Sequence, residues 1–259
     1  LIRVGDVELD TVHVVAKHVA GQLDPADVGA LEALADVGDN VARHGVTSIQ
    51  NLVDTPTERD TATKLRAFQK FARAGKLTVR IYDSAALRDW KDFAHQGIEA
   101  GFGEPLLRTG NLKGFADGSL GSETAWMTAP YADDPHNHGL ASGDLQDPVA
   151  MYGFIQGADK AGLQVSVHAI GDRAIHEVLD LMERVEKENG PADRRFRIEH
   201  LQHLARADVG RLAPLGVIAS MQPYHAIDDG RFAEQRIGAE RLQLHTAQHM
   251  FSRALVDLA

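Results

Sequence analysis

Two histidines close apolar, strand-like runs in this 259-residue sequence: His168 ends QVSVH and His200 ends RFRIEH. Each is the solitary imidazole of its run, and the two runs are consecutive strand patterns. Neighbouring parallel strands lie ~4.8 Å apart. Two imidazoles pointing inward from such strands can therefore share one metal ion at ~2.0–2.1 Å per nitrogen. The plainer alternative is a pair of core histidines, each satisfied by a backbone carbonyl, but repetition on consecutive strands favours a site. Lys113 lies on the preceding strand pattern, NLKGF, where an ammonium is expensive to bury unpaired. Either it snorkels to solvent or pairs with Asp117, or it is carboxylated by carbon dioxide. The second choice turns a cation into a carboxylate able to bridge two divalent ions.

Other polar residues gather at strand ends, where parallel α/β folds place ligands and catalytic groups. Asp117 belongs to LKGFADGS, and Gln222 and His225 follow VIASM; Asn51, Asp54 and Asp83 end the first two strand patterns. The stretch DGSLGSETAWM (117–127) reads either as an anion-binding nest or as a plain structural loop. It lacks a lysine at the spacing of a phosphate loop. Asp172 in AIGDRAI is placed to cap the helix that follows it.

The elements that must position these residues alternate along the chain. Helical spacing covers 12–19 and 30–41, and a β-branched strand follows at 46–52. An amphipathic helix is expected over 58–76, a strand over 77–83, a helix over 89–101 and a short strand over 111–118. After an irregular stretch at 119–146 come a helix (147–163), a strand (164–168), a helix (173–188), a strand (195–201), a helix (206–213), a strand (216–223) and a helical tail from 230. Strict alternation at this spacing implies parallel strands with right-handed crossovers, and the pattern holds six strands. No linker, repeat or low-complexity tract interrupts it, so 1–259 reads as one domain.

Composition bounds the chemistry. The chain is 44% hydrophobic and 25% charged, with a net charge of −10. That balance argues against nucleic acid as a main partner, because phosphate binding is carried by clustered Lys and Arg. There is no cysteine, which removes disulfides, thiolate metal sites and a cysteine nucleophile, while thirteen histidines are a generous supply. Metal or acid–base chemistry must then run on histidine and carboxylates. No apolar run approaches the ~20 residues of a membrane helix, and LIRVGDVELDTVHVV lacks the pattern of a signal peptide, which points to the cytoplasm. A doubly wound module with an unrelated activity is disfavoured, since no glycine-rich phosphate fingerprint follows the first strand.

In order, LKGFADGSLGSETAWM…PYADDP, VSVHAIGDRAIHEVLDLME, RFRIEHLQHL and ASMQPYHAIDDGRFAEQRIGAER resemble the amidohydrolase superfamily, in particular its YtcJ-like branch (the amidohydrolase-3 group). The resemblance runs from HGVTS at 44 to GAER at 238–241. It implies a TIM-barrel-like (β/α) fold and a metal-dependent hydrolase acting on C–N bonds such as those of amides and ureas. It places His168 and His200 as the ligands from the fifth and sixth strands and Lys113 as the carboxylated, bridging lysine of the fourth. One or two divalent ions, zinc by expectation, would then activate a water as nucleophile and polarise the carbonyl. Asp117, Gln222 and His225 would line the mouth that receives a small-molecule substrate.

Two family features have no counterpart here. No His-x-His pair precedes the 44–54 strand region, and no Ser-Asp-x-Pro segment follows 219–223. The six strands match the second to seventh of eight. The expectation is therefore the middle of a larger enzyme, an incomplete barrel with poor activity by itself. The alternative is a non-catalytic, metal- or ligand-binding barrel fragment. Open strand edges would favour self-association into a homo-oligomer.

Overall fold

The computed structural model describes residues 40–53, 61–222 and 225–245. They fall into two compact units that divide between Lys113 and Gly114. The expected helix at 12–19 and the strand-end Asp54 lie outside the described residues; of the 30–41 pattern, the end is seen as a helical turn at 40–43.

In the first unit β1 (Ser48–Asn51) runs parallel to β2 (Arg80–Ala86), and β2 parallel to β4 (Leu107–Phe115), whose last two residues open the second unit. Helix α1 (Thr61–Arg73) connects β1 to β2. Its Leu65, Phe68 and Ala72 pack with Val41, Val79, Ile81 and Leu107. The strand β2 extends three residues beyond the expected end at Asp83, through Ser84, Ala85 and Ala86, which are all buried. Small residues carry little β-propensity, yet burial in a parallel sheet overrides it. The helix after β2 is also shorter than expected: α2 spans Trp90–His95.

An unexpected strand, β3 (Phe102–Glu104), pairs antiparallel with the start of β4. Three exposed residues have no alternation to read. What permits the hairpin is Gly103, at φ +135, where a Cβ would lie 2.3 Å from the Leu107 carbonyl oxygen.

The second unit carries α3 (Pro148–Lys160), β5 (Gln164–Ala169), α4 (Asp172–Asn189), β6 (Arg197–His200), α5 (Val209–Leu212), β7 (Ile218–Ser220), α6 (His225–Asp228) and α7 (Ala233–His245). β5, β6 and β7 are parallel neighbours. Parallel strands alternating with helices give an α/β, TIM-barrel-like element order, with six parallel strands among the described residues. Val165 and Val167 of β5 are fully buried, as are Ile155 on α3 and Ile175, Leu179 and Met182 on α4. On α4 the buried Ala174, Ile175, Val178, Leu179, Met182 and Val185 recur at helical spacing and make one stripe.

The caps follow elementary rules with one correction. Asp147 caps α3, its carboxylate accepting from the Ala150 amide at 3.0 Å ahead of Pro148 in the first turn. Asp172 does not cap α4: the helix starts one residue earlier than expected, with Gly171 as its N-cap. Asp172 is the first helical residue, and its Oδ1 accepts from the amides of Thr128 (2.8 Å) and Arg173 (2.9 Å). The Gly171 amide is already taken by another carboxylate, described below, which fixes the chain one residue sooner. Replacing Asp147 with Ala should cost about 1 kcal/mol, read as a lowered urea midpoint with unchanged slope.

Candidate active site

His168 and His200 come together, but not by the simple ladder. The register pairs Ala169 with His200 and His168 with Glu199. Paired residues on neighbouring strands share a face, so regular alternation would put Glu199, not His200, beside His168. The chain breaks the alternation at the strand end. His200 sits at φ +72 and Leu201 at φ +45, both in the left-handed region. Such residues cost roughly 1–3 kcal/mol each and persist only when their surroundings over-determine them. Here Leu201 is buried, its amide still bonded to the Ala169 carbonyl at 3.1 Å. The outcome is an edge-on pair of imidazoles, ring centroids 4.6 Å apart at 70°.

Neighbouring groups fix which nitrogen of each ring carries hydrogen. Gln222 donates its Nε2 to the Ser220 carbonyl (3.2 Å), which turns its Oε1 onto His200 Nδ1 at 2.7 Å. An amide oxygen only accepts, so His200 Nδ1 is the donor and the neutral ring keeps its lone pair on Nε2. On His168 it is Nε2 that donates, to the Gly118 carbonyl at 2.9 Å, so the neutral ring keeps its lone pair on Nδ1. His225, at the start of α6, stacks on His200 with centroids 5.6 Å apart and 12° between planes. The buried Gln202 gives its Nε2 to Asp229 (2.5 Å) and offers its Oε1 to His225 Nδ1 at 3.2 Å. By the same logic the His225 lone pair is on Nε2.

Asp117 is buried behind this row. Its Oδ1 accepts from the Ile170 amide (3.0 Å) and its Oδ2 from the amides of Gly171 (2.8 Å) and Trp126 (2.9 Å), while Oδ1 lies 3.4 Å from His168 Nε2. The carboxylate thus joins the loop after β4 to the end of β5. The loop is packed to fit: a Cβ on Gly171 would stand 2.1 Å from the Trp126 carbonyl oxygen. The hydroxyls of Ser119, Ser122 and Thr124 bond one another at 2.8 and 2.6 Å. Leu120, Ala125, Met127 and Tyr131 form a small core with Ile170, Ala233 and Ile237. Burial and the nearby Asp117 charge push the Tyr131 phenol above its ordinary range. It therefore stays protonated and donates to the Ala125 carbonyl at 2.9 Å. From α7, Arg241 donates to the Ala129 and Pro130 carbonyls, and Arg236 pairs with Glu123 and Asp133.

Of the six residues expected at the site, His168, His200, Gln222, His225 and Asp117 all belong to the second unit. Lys113 is the last residue of the first unit; it is buried on β4 opposite Ala86. Among the described residues no group of three or more His, Asp or Glu side chains has the geometry to hold a metal ion. Sequence reasoning passed over Glu199, Arg197 and Ser220. Glu199, only 2% exposed and facing as His168 does, takes a hydrogen bond from Arg197 Nε at 2.8 Å, and Arg197 Nη2 donates to Ser220 at 2.6 Å. The signal was present: charges at 197 and 199 alternate with an apolar residue in RIEH, which marks a polar inner face. Gln202 offered no such signal.

A family model described as the amidohydrolase family matches residues 13–253. The chain belongs to the amidohydrolase family. It is 30% identical over 187 residues to the putative amidohydrolase YtcJ of Bacillus subtilis, covering 71% of this chain and 33% of that protein. It is 47% identical over 135 residues to the protein LONG AFTER FAR-RED 3 of Arabidopsis thaliana, covering 52% of this chain and 23% of that one. The chain therefore spans a third or less of these relatives. A crystal structure of an uncharacterized metal-dependent hydrolase from Pyrococcus furiosus superposes with a TM-score of 0.71 at 26% identity, over 83% of this chain and 42% of that one. Its counterpart from Pyrococcus horikoshii gives 0.71 at 27% identity, over 83% and 41%. No helix among the described residues is long and apolar enough to cross a membrane.

Gly171 tests the packing of the loop against β5. Gly171→Ala should destabilise the chain by about 2–3 kcal/mol, since the added methyl meets backbone rather than a movable side chain; chemical denaturation measures it.

Proposed function

We propose that this chain forms part of a metal-dependent hydrolase that cleaves a C–N, amide-type bond in a small molecule. The observation that carries the reading is the edge-on pair His168–His200, in which a fixed acceptor holds one nitrogen of each ring and leaves a lone pair on the other. Neutral imidazoles whose second nitrogen is hydrogen-bonded in this way are the usual state of metal ligands. His168 would bind through Nδ1 and His200 through Nε2. Family membership supports the hydrolase class, and the similar Pyrococcus furiosus protein is described as a metal-dependent hydrolase. Lys113, carboxylated, is the proposed further ligand.

An ion held there, zinc by preference, would supply an activated water and Lewis-acid polarisation of a carbonyl. The chain's own residues set the stage for that chemistry. Gln222 holds the His200 ring and tautomer, and His225 beside it offers an acceptor nitrogen to an N–H of the substrate. The half-buried Arg197 paired with the buried Glu199 keeps a satisfied polar layer on the face that bears His168.

A second reading, a metal- or ligand-binding segment without turnover, is favoured by one observation: no complete three-residue ligand set occurs among the described residues. Metal content separates the readings from an unrelated role. The purified chain loaded with zinc and desalted should retain the ion, and His168→Ala or His200→Ala should each reduce the bound zinc at least tenfold by elemental analysis. Unchanged zinc in both variants would sink the ligand assignment. Turnover of amide or urea substrates by the zinc-loaded chain would then decide between catalysis and binding alone.

A further inference from the structure

We infer that Asp117 is a positioning residue for His168, holding the ring in the Nε2–H tautomer and strengthening Nδ1 as a zinc ligand. The inference rests on the metal reading proposed above.

Three observations carry it. First, the carboxylate cannot swing toward an incoming small molecule, because both oxygens are engaged by three backbone N–H groups from Trp126, Ile170 and Gly171. Its side chain is fully buried. Second, the groups facing His168 Nε2 are acceptors, the Gly118 carbonyl at 2.9 Å and Asp117 Oδ1 at 3.4 Å. A nitrogen between two acceptors must carry the hydrogen, and in the neutral ring the lone pair then belongs to Nδ1. A negative charge beside the N–H draws on the ring's proton and makes the opposite nitrogen a stronger donor to a metal. Third, both acceptors come from consecutive residues of one loop. The Gly118 amide is bonded to the Thr124 carbonyl at 3.2 Å and the Ser119 amide to the Thr124 hydroxyl at 3.0 Å, so both acceptors hold their place only in the folded loop. Zinc bound at His168 must in turn oppose opening of that loop, since coupling between two events is reciprocal.

The test uses the purified full chain with zinc alone as the probe. Zinc affinity is read by competition with a chromophoric chelator, the His168 tautomer by long-range imidazole ¹H–¹⁵N spectra, and loop opening by amide exchange at Trp126 and Gly171. The wild-type chain should show the Nε2–H tautomer at His168 and slower exchange of both amides when zinc is added. Asp117→Asn should weaken zinc binding by about 10–100-fold. Tyr131→Phe, which loosens the same loop without touching Asp117, should keep zinc affinity within about threefold. Equal losses in the two variants would show a loop effect only and overturn the role of Asp117. Undiminished affinity in Asp117→Asn would overturn it as well. A wild-type chain that binds no zinc overturns the metal reading itself, a different result. Should Asp117→Asn fail to fold, the wild-type spectra still decide: an Nδ1–H tautomer at His168 rejects the inference.

Discussion

One buried carboxylate holds the second unit's working end together. Asp117 collects amide hydrogens from Trp126 in the loop, Ile170 after β5 and Gly171 at the start of α4. A carboxylate taken from water costs several kcal/mol unless its lone pairs are met, and charge-assisted bonds to backbone N–H are among the strongest available. Satisfying Asp117 therefore dictates where three segments stand. It sets the first turn of α4 one residue early, presses Gly171 onto the Trp126 backbone, and brings the Gly118 carbonyl to His168. Strand β5 delivers the imidazole, and the loop decides how it is presented.

The same division of labour recurs on β6. The strand carries His200 to the correct end of the sheet, but the register alone would leave it on the wrong face. Two consecutive left-handed residues correct that, and Gln222 from the far side of β7 locks the ring. His168 and His200 thus each have a strand for coarse placement and a carbonyl or carboxamide for fine placement. This separates fold stability, which lies in the apolar contacts of α3, α4 and β5, from site geometry, which lies in a few polar bonds.

The alternation of strands and helices was legible because apolar periodicity is a local property, and all six parallel strands appear near the expected places. The family was legible from four ordered motifs. What was not legible depended on distant partners. Asp172 has the right residue type for a cap, but the competing pull of Asp117 on the Gly171 amide is 54 residues away in sequence. Strand β3 is too short to carry a period, and it exists because β4 offers it an edge. Asp117 itself stood out as a polar residue at a strand end, a position shared by substrate-contacting groups and by internal fasteners. Only its three amide partners tell which of these it is. His168 and His200 were chosen on the premise that adjacent strands bring equivalent ends together, and the left-handed turn at 200–201 that makes the premise true leaves no mark in RIEHL.

That turn has an evolutionary consequence. Glycine or asparagine adopts a left-handed backbone more readily than histidine, so a descendant released from keeping this imidazole would gain stability by losing it. A histidine at 200 is therefore a cost to folding that only the role proposed for it would offset. Among descendants of this chain, the residue at 200 would report the loss of the site before any change in the core did.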